Sequence, residues 1–113
     1  MDCIFCKIAN REIDTEVIFE NAEILAFEDQ NPQAPTHILV IPKKHISNIQ
    51  EMAIEDQQQL LPEIFQAIQQ IADEKDLGKG YRVVNNCKHN GGQTVPHLHF
   101  HLLGGRVMQW PPG

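Results

Sequence analysis

The most informative stretch of the chain is His97-Leu98-His99-Phe100-His101-Leu102-Leu103, in which histidine and apolar residues alternate. A period of two predicts a half-buried β-strand, because successive side chains on a strand point to opposite faces. The apolar positions would then face a core, and the three histidines would share the other face at intervals of about 6.6 Å. Half of the chain's six histidines lie here. We therefore predict a functional site on this face, in preference to a solvated, histidine-rich surface.

The composition predicts one globular domain over residues 1–113, with 42% hydrophobic and 21% charged residues. The net charge of -6 argues against binding to nucleic acid or to anionic membranes, but it leaves room for a small anionic ligand. No apolar run approaches the length of a membrane span, and the N-terminal residues lack the features of a signal peptide. We therefore expect a cytoplasmic protein with reduced thiols.

Periodicity along the chain predicts the order β-β-β-α-β-β, which is typical of an α+β domain with a mostly antiparallel sheet. The predicted strands cover residues 17–20, 24–28, 37–41, 81–85 and 97–103. A long helix is predicted over residues 54–75, where apolar positions follow helical spacing and Gly78 lies just beyond the end. Pro62 falls inside this pattern, so we expect a late helix start or a kink near it. The short apolar segment at residues 4–8 is compatible with either helix or strand.

A loop with paired glycines, Asn90-Gly91-Gly92-Gln93-Thr94, precedes the histidines. Glycines allow the backbone to approach a ligand and to turn N–H groups toward it, while Gln93 and Thr94 add side-chain donors. Such a loop suits a phosphate held beside the strand, although a plain hairpin turn would also place two glycines together. Its position directly before three histidines favours the phosphate.

The chemistry of imidazole narrows the role of the histidines, since imidazole acts as a general base, a metal ligand or a nucleophile. Neighbouring histidines on one strand stand too far apart to share a metal ion without ligands from other segments. We therefore predict that His99 is a nucleophile and that His101 faces a phosphate. His37 begins an adjacent predicted strand, where it would complete the site or serve a structural role.

The histidine stretch resembles the His-φ-His-φ-His-φ-φ signature of the histidine triad (HIT) superfamily, in which φ is apolar. Further segments are similar to its histidine triad nucleotide-binding (Hint) branch, at residues 27–29, 32–37, 40–46, 91–93, 104–106 and 110–113. The resemblance implies the HIT fold, a five-stranded sheet with one long and one short helix. It also implies a two-fold dimer with a continuous sheet, in which the long helix packs across the axis and the C-terminal tail reaches the partner's active site.

Hint proteins are homodimeric purine nucleoside phosphoramidases, so the resemblance implies cleavage of the P–N bond of adenosine 5′-phosphoramidates without a catalytic cofactor. His99 matches the nucleophile, which forms a nucleotidyl-histidine intermediate on the α-phosphorus. His97 matches the residue whose main-chain oxygen orients that nucleophile, and His101 matches a phosphate contact. Thr94 lies where the family often has a serine near the leaving amine, and His37 matches a histidine that supports proton transfer.

The nucleotide-binding residues come from the same resemblance. Asp29 matches the carboxylate that accepts hydrogen bonds from the ribose hydroxyls, although a solvated charge is the simpler alternative. Asn86, Gly92 and Gln93 match the phosphate site, with Asn85 as a substitute for Asn86 because of a one-residue length difference. The apolar walls around the purine match Ile4, Phe5, Ile8 and Phe27, the last of which would otherwise be a core residue. An apolar base pocket explains how an acidic protein could bind a nucleotide.

Three positions depart from the animal-like Hint pattern. Gln30 stands where an aliphatic residue is common, Thr94 replaces serine, and Pro96 replaces an aromatic residue. These changes keep the chemistry in place and leave the substrate preference and the rate open.

Cys3-Ile4-Phe5-Cys6 is a Cys-x-x-Cys pair, which is typical of zinc sites or redox centres. No predicted strand precedes it, which disfavours the redox interpretation. Tetrahedral zinc needs two further ligands. Other histidine triad branches take them from a Pro-x-x-His segment and the first triad histidine, here His45 and His97. We expect a structural zinc ion on these four residues, with free thiols as the alternative.

Three functions compete. The one we favour is phosphoramidase and acyl-adenylate hydrolysis by a homodimer that binds a purine nucleotide but neither nucleic acid nor membrane. The second is dinucleoside polyphosphate hydrolysis, known from another histidine triad branch, and the tail at residues 110–113 speaks against it. The third is a nucleotide-binding regulatory scaffold without turnover.

Overall fold

Five strands form one antiparallel sheet in the computed structural model of the chain, which describes residues 3–113. In chain order the strands are β1 (Val17–Glu20), β2 (Ile24–Glu28), β3 (Thr36–Pro42), β4 (Tyr81–Val84) and β5 (Phe100–Gly104). Across the sheet the order is β1-β2-β3-β5-β4, so β3 is central. The helical segments are α1 (Ile4–Ala9), a 3-10 turn at Ile49–Glu51, and α2 (Ile54–Glu74). The predicted α+β fold with a long and a short helix is confirmed.

Different helices cover the two faces of the sheet. Because strand side chains alternate, Ile38 and Val40 of β3 pack into the cluster beneath α2, whereas Leu39 and Ile41 pack into the cluster beneath α1. Burial on both faces explains why β3 reads as a continuous apolar run in the sequence. The face beneath α1 carries the histidines.

The histidine stretch joins the sheet later than predicted. β5 begins at Phe100, and residues 97–99 lie before it in irregular backbone. The reason is their hydrogen bonding, since the main-chain N–H of Leu98 donates to the oxygen of Ile46, which lies beyond the end of β3. The predicted alternation still holds, because the three expected core positions pack into the cluster beneath α2, whereas the rings of His97 and His99 pack against Phe5 of α1. The core positions are Leu98, Phe100 and Leu102.

The long helix begins at Ile54 and runs through Pro62 to Glu74. Of the two alternatives that we expected, a late start or a kink, the late start is therefore wrong. Pro62 is exposed, so its ring lies on the solvent side of α2 and does not disturb the packing against the sheet. Its missing N–H withholds one hydrogen bond from the oxygen of Gln58, at a turn that solvent reaches. Within residues 3–113, neither helix combines the length and the apolar character that crossing a membrane requires.

Candidate active site

The three triad histidines and His37 converge on the face beneath α1. His101 on β5 lies opposite Leu39 on β3, so it shares a face with His37 two residues earlier. Ring centroids are 5.1 Å apart for His37 and His101, and 5.0 Å apart for His101 and His99. The exposed fractions of His37, His97 and His99 are 7%, 0% and 5%. The alternative of a solvated histidine-rich surface is therefore wrong.

A main-chain oxygen decides which nitrogen of His99 carries the proton. The His99 Nδ1 lies 2.7 Å from the oxygen of His97, and a carbonyl oxygen can only accept, so Nδ1–H is the donor. The neutral ring therefore keeps an unshared electron pair on Nε2, which is what nucleophilic attack requires. Asn85 Nδ2 donates to the main-chain oxygen of His99 over 2.9 Å, and the ring of Phe5 packs edge-on against His99 at 5.1 Å.

A chain of hydrogen bonds fixes the protons of His37 and His101 as well. The main-chain N–H of Gln33 donates to His37 Nδ1 over 3.0 Å, so the proton of neutral His37 lies on Nε2. That Nε2–H faces His101 Nδ1 at 2.9 Å, which places the proton of His101 on its own Nε2. Among residues 3–113, this buried Nε2 has no hydrogen-bond partner. The chain therefore ends in a donor that lacks an acceptor.

Burial keeps these two rings neutral. It lowers the pKa of His37 below its usual value, and the Asp29 carboxylate opposes this shift. Burial, reinforced by the neighbouring His99 and His37, lowers the pKa of His101 to about 4. A neutral His101 carries a single proton, in agreement with the hydrogen-bond chain.

Asp29, the predicted ribose ligand, follows β2 and lies beside His37. Its Oδ1 accepts the main-chain N–H of Asn31 over 2.8 Å, and its Oδ2 lies 3.5 Å from His37 Nε2. The side chain is 21% exposed, so one carboxylate edge remains within reach of a ligand. The structure thus brings Asp29 to the histidines, which neither spacing nor composition required.

The four predicted purine-wall residues divide into two groups. Phe5, Ile8 and Phe27 are buried in the cluster beneath α1, where Phe5 and Phe27 meet edge to face at 5.4 Å. Ile4 is 50% exposed. The three buried side chains therefore serve as core whether or not a base stacks beside them, and Ile4 offers free apolar surface.

The glycine loop uses its own donors to close itself. The main-chain N–H of Gly92 donates to the main-chain oxygen of His89, and the main-chain N–H of Gln93 donates to that of Lys88. The side-chain Nε2 of Gln93 donates to the oxygens of Ser47 and Val95, while its Oε1 accepts the N–H of Lys88. Neither Gly92 nor Gln93 thus keeps a free donor for a phosphate in this conformation. The glycines satisfy the turn itself, since Gly92 has a φ of 81°.

Thr94 ends that loop, and Asn86 lies between β4 and the loop. Thr94 is exposed and borders a surface cavity of about 360 Å³, whose other lining residues are Ser47, Asn48, Lys88, His89, Gln93 and Pro96. Asn86 is partly buried just after β4, but the amide that contacts the triad is that of Asn85. A larger cavity of about 690 Å³ is lined by residues 76–82 and 105–108, at the opposite end of β4 and β5 from His101. It contains none of the predicted site residues.

The predicted zinc ligands Cys3, Cys6, His45 and His97 form one cluster, with all four donor atoms within 4.8 Å of one another. His97 Nδ1 lies 3.4 Å from Cys3 Sγ and 3.5 Å from Cys6 Sγ, and His45 Nδ1 lies 3.2 Å from Cys6 Sγ. In a zinc tetrahedron the sulfur and nitrogen ligands are about 3.6 Å apart. The observed distances therefore suit a tetrahedral ion.

The protonation of the cluster also fits a metal. His97 Nε2 lies 2.8 Å from the oxygen of Pro42, so it is the protonated nitrogen, and the electron pair of Nδ1 faces the two sulfurs. Burial lowers the pKa of His97 to about 4, which keeps the ring neutral. Burial and the hydrogen bond to Cys3 raise the pKa of the Cys6 thiol to about 11, so without a metal this sulfur stays protonated.

The groups that sequence reasoning missed are mostly main-chain atoms. The oxygen of Pro42 and the N–H of Gln33 set the tautomers of His97 and His37, but every residue type supplies such atoms. Asn85 was considered only as a substitute for Asn86. A polar residue at the end of a predicted strand beside the triad was the one available signal.

Comparisons of the sequence and of the structure with known proteins identify the same family. A model described as the HIT domain matches residues 10–108. An uncharacterised HIT-like protein of Synechococcus elongatus is 51% identical over 112 residues, which cover 99% of this chain and 97% of that protein. The crystal structure of a HIT family hydrolase from Legionella pneumophila superimposes with a TM-score of 0.95 at 51% identity, over 99% of this chain and 100% of that chain.

A more distant structure, of a histidine triad nucleotide-binding protein from Candida albicans, gives a TM-score of 0.80 at 30% identity, over 97% of this chain and 83% of that chain. The predicted superfamily is thereby confirmed, whereas the Hint branch stays a prediction. The fold is that of HIT family hydrolases. With its histidine triad, its sheet and its close relatives in agreement, the chain belongs to the HIT domain family.

Proposed function

We propose that this protein is a purine nucleotide-binding hydrolase that cleaves the P–N bond of adenosine 5′-phosphoramidates, and also hydrolyses acyl-adenylates, through a nucleotidyl intermediate on His99. The observation that carries the proposal is an unprotonated Nε2 on His99 beside a buried Nε2–H on His101 that has no partner within residues 3–113. A nucleophile next to a donor suits attack on phosphorus, whose oxygens gain charge in the transition state. The likeness to a hydrolase and to a nucleotide-binding protein supports this substrate class.

The reaction proceeds in two displacements. The electron pair of His99 Nε2 forms a bond to the α-phosphorus, the P–N bond breaks, and the leaving amine takes up a proton from solvent. The ring then carries the nucleotidyl group on Nε2 and keeps its proton on Nδ1, where the oxygen of His97 stabilises the positive charge. Water next attacks phosphorus, the N–P bond breaks, and the released proton passes to solvent. Two lower barriers thus replace one high barrier.

The neighbouring residues hold the substrate during these steps. His101 Nε2–H donates to a phosphoryl oxygen, and Asp29 accepts from the ribose hydroxyls with its exposed carboxylate edge. Ile4 supplies apolar surface to the base, and the exposed Thr94 takes the role beside the leaving amine that the family resemblance implies. Gln93 and Gly92 contribute by shaping the loop, because their donors are used within it.

The decisive experiment compares wild type with His99→Asn on an adenosine 5′-phosphoramidate, with adenosine monophosphate binding measured in both. His89→Asn is the matched control, since His89 is an exposed loop histidine outside the triad. We expect turnover in wild type and in His89→Asn, a loss of several orders of magnitude in His99→Asn, and unchanged binding in all three.

The same assay separates the competing functions. Binding without turnover in wild type would replace the enzyme by a nucleotide-binding scaffold. Faster hydrolysis of a dinucleoside polyphosphate than of the phosphoramidate would move the protein to the other histidine triad activity. Trapping of a nucleotidyl group on His99 by an alkaline denaturing quench, followed by peptide mass spectrometry at neutral or higher pH, would identify the covalent step directly.

We also propose that Cys3, Cys6, His45 and His97 hold a structural zinc ion. The support is the fit of the four donor atoms and the direction of the His97 electron pair. When bound, the ion ties α1 to the segment before β5 and supplies no step of the reaction. The described cysteines are all free, and the reduced thiols that such a site requires accord with the cytoplasmic location expected from the sequence.

A two-fold homodimer with a continuous sheet is the proposed assembly. β4 is an edge strand, since it pairs only with β5 within residues 3–113, so its other edge offers unpaired backbone groups. Phe65 on α2 is 46% exposed and Trp110 is 83% exposed, and large apolar side chains favour burial by a partner. Sedimentation equilibrium at micromolar concentration should give the dimer mass, and a monomer would contradict this assembly.

A further inference from the structure

A second cluster of metal-binding side chains lies inside the candidate active site. Asp29, His37 and His101 each offer a donor atom, and these atoms lie within 4.8 Å of one another. His37 Nε2 is 2.9 Å from His101 Nδ1 and 3.5 Å from Asp29 Oδ2. Two imidazoles and a carboxylate at such distances form a set that divalent transition metals accept. By composition and spacing alone this cluster competes with the cysteine cluster for zinc.

Hydrogen bonding distinguishes the two clusters. A histidine nitrogen binds a metal only with a free electron pair, so in a neutral ring the proton must move to the other nitrogen. For His97 the other nitrogen faces the oxygen of Pro42, which accepts that proton. For His37 the other nitrogen, Nδ1, faces the main-chain N–H of Gln33 at 3.0 Å. A proton on Nδ1 would then set two donors against each other in a buried place.

We infer that the main-chain N–H of Gln33 is a positioning group that holds His37, and through it His101, in the Nε2–H tautomer and thereby prevents zinc from binding to Asp29, His37 and His101. The ring of His37 is 7% exposed, so it cannot turn its Nδ1 toward water to relieve the conflict. The oxygen of Pro42 at His97 Nε2 thus favours a metal ion on His97 Nδ1. The N–H of Gln33 at His37 Nδ1 excludes a metal ion from His37 Nε2.

The same arrangement assigns a role to His101, and this assignment rests on the proposed function. If His101 gave its Nε2 proton to a leaving amine and took the Nε2 proton of His37, then His37 would be left without any proton, as a buried anion. The chain therefore supplies a fixed hydrogen-bond donor to the phosphoryl oxygen and does not relay protons. This departs from the proton-transfer role that the family resemblance implies for His37.

The matched pair Gln33→Pro and Gln33→Ala tests the inference, because proline lacks the N–H and alanine keeps it. Both variants lose the same hydrogen bond from Gln33 Nε2 to the oxygen of Asn31, and both keep the residue-33 oxygen that Arg106 contacts. Zinc binding is titrated without substrate, and long-range ¹H–¹⁵N spectra report which nitrogen of His37 and of His101 carries the proton.

In wild type and in Gln33→Ala, both rings should show the Nε2–H tautomer, and any tightly bound zinc should disappear with Cys6→Ser. Gln33→Pro should gain an additional zinc ion, and Asp29→Asn in that background should remove it. A wild-type His37 protonated on Nδ1 would overturn the inference, and so would a zinc ion in wild type that depends on Asp29. Equal zinc binding by the proline and alanine variants would do the same.

The wild-type spectrum and titration decide the question even if Gln33→Pro fails to fold. None of these readouts uses substrate, so a failure of the phosphoramidase proposal, seen as absent turnover in wild type, is distinguishable from a failure of this one.

Discussion

The main-chain oxygen of His97 accepts the Nδ1–H of His99 over 2.7 Å. The contact joins residues two apart in the chain and depends on the backbone at position 97, not on its side chain. The side chain of His97 instead faces the two cysteines through Nδ1 and the oxygen of Pro42 through Nε2. His97 thus contributes different atoms to the candidate active site and to the proposed zinc site, and substitution can separate the two contributions.

His97→Gln should retain the nucleotidyl intermediate on His99 while it loses zinc. The main-chain acceptor survives the change, whereas a buried hydrogen bond and a metal ligand are removed, at a cost of about 1–3 kcal/mol in unfolding free energy. Zinc content, denaturant unfolding and nucleotidyl labelling of His99 after an alkaline quench measure the three effects. His99→Asn is the complementary variant, because it should keep zinc and lose the nucleotidyl label. Loss of labelling in folded His97→Gln would show that the side chain itself is needed.

Cys6→Ser should reduce zinc content and lower the melting temperature, because the proposed ion would tie α1 to the rest of the fold. Cys87→Ser is the control, since Cys87 lies outside the cluster, and its stability should stay within about 0.5 kcal/mol of wild type. Metal analysis of protein purified under reducing conditions, followed by thermal unfolding with and without a chelator, makes the measurement. Absence of metal from wild type, with no effect of chelation, would leave the cysteines as free thiols.

Asn85→Ala should destabilise the protein by about 1 kcal/mol and lower kcat, because Asn85 Nδ2 holds the main-chain oxygen of His99. Asn86→Ala is the neighbouring control and should leave both quantities nearly unchanged. Urea unfolding and steady-state kinetics on the phosphoramidate compare the two variants. A larger kinetic effect at Asn86 would restore the phosphate-site role that the family resemblance gave to that residue.

Leu102→Ala should cost about 2–5 kcal/mol of unfolding free energy, because a fully buried side chain is removed from the core beneath α2. Val107→Ala should cost little, since Val107 is 84% exposed. Chemical denaturation of both variants provides the test. Similar losses at the two positions would mean that position 107 is covered in solution, as a dimer interface would require.

Stability should fall as the pH drops from 6.5 toward 4. The pKa of His101 is lowered from 6.5 to about 4, with burial as the largest cause, so in this window the unfolded chain binds a proton that the folded chain does not. The unfolding free energy therefore rises with pH, by at most about 1.4 kcal/mol per pH unit for this group. When the unfolding free energy is measured across this pH window, its slope against pH should be smaller for His101→Asn than for wild type. Identical slopes would show that His101 titrates normally.

Much of the architecture could be predicted from local patterns. The apolar runs at residues 24–27 and 37–41 identified two strands. The predicted turn before the first of these runs is held by Asn21, whose side-chain Oδ1 accepts the main-chain N–H groups of Glu23 and Ile24. The beginning of β5 could not be predicted, because Leu98 is held by Ile46 across a long separation in the chain. The phosphate role given to this loop also depended on unseen partners, since the N–H groups of Gly92 and Gln93 donate to the main-chain oxygens of His89 and Lys88.

The sequence by itself determined which face of β5 and which face of α2 are buried, because apolar periodicity is a property of neighbouring positions. Within the pattern on α2, Phe65 is nevertheless 46% exposed. It also predicted a reaction at the triad histidines and a zinc ion at the cysteine pair. Only the tertiary structure decided where their protons lie. The oxygen of Pro42 reaches His97 across 55 positions, and His37 reaches His101 across 64. Main-chain donors and acceptors exist at every position, so their identity carries no signal until folding brings one of them against a ring.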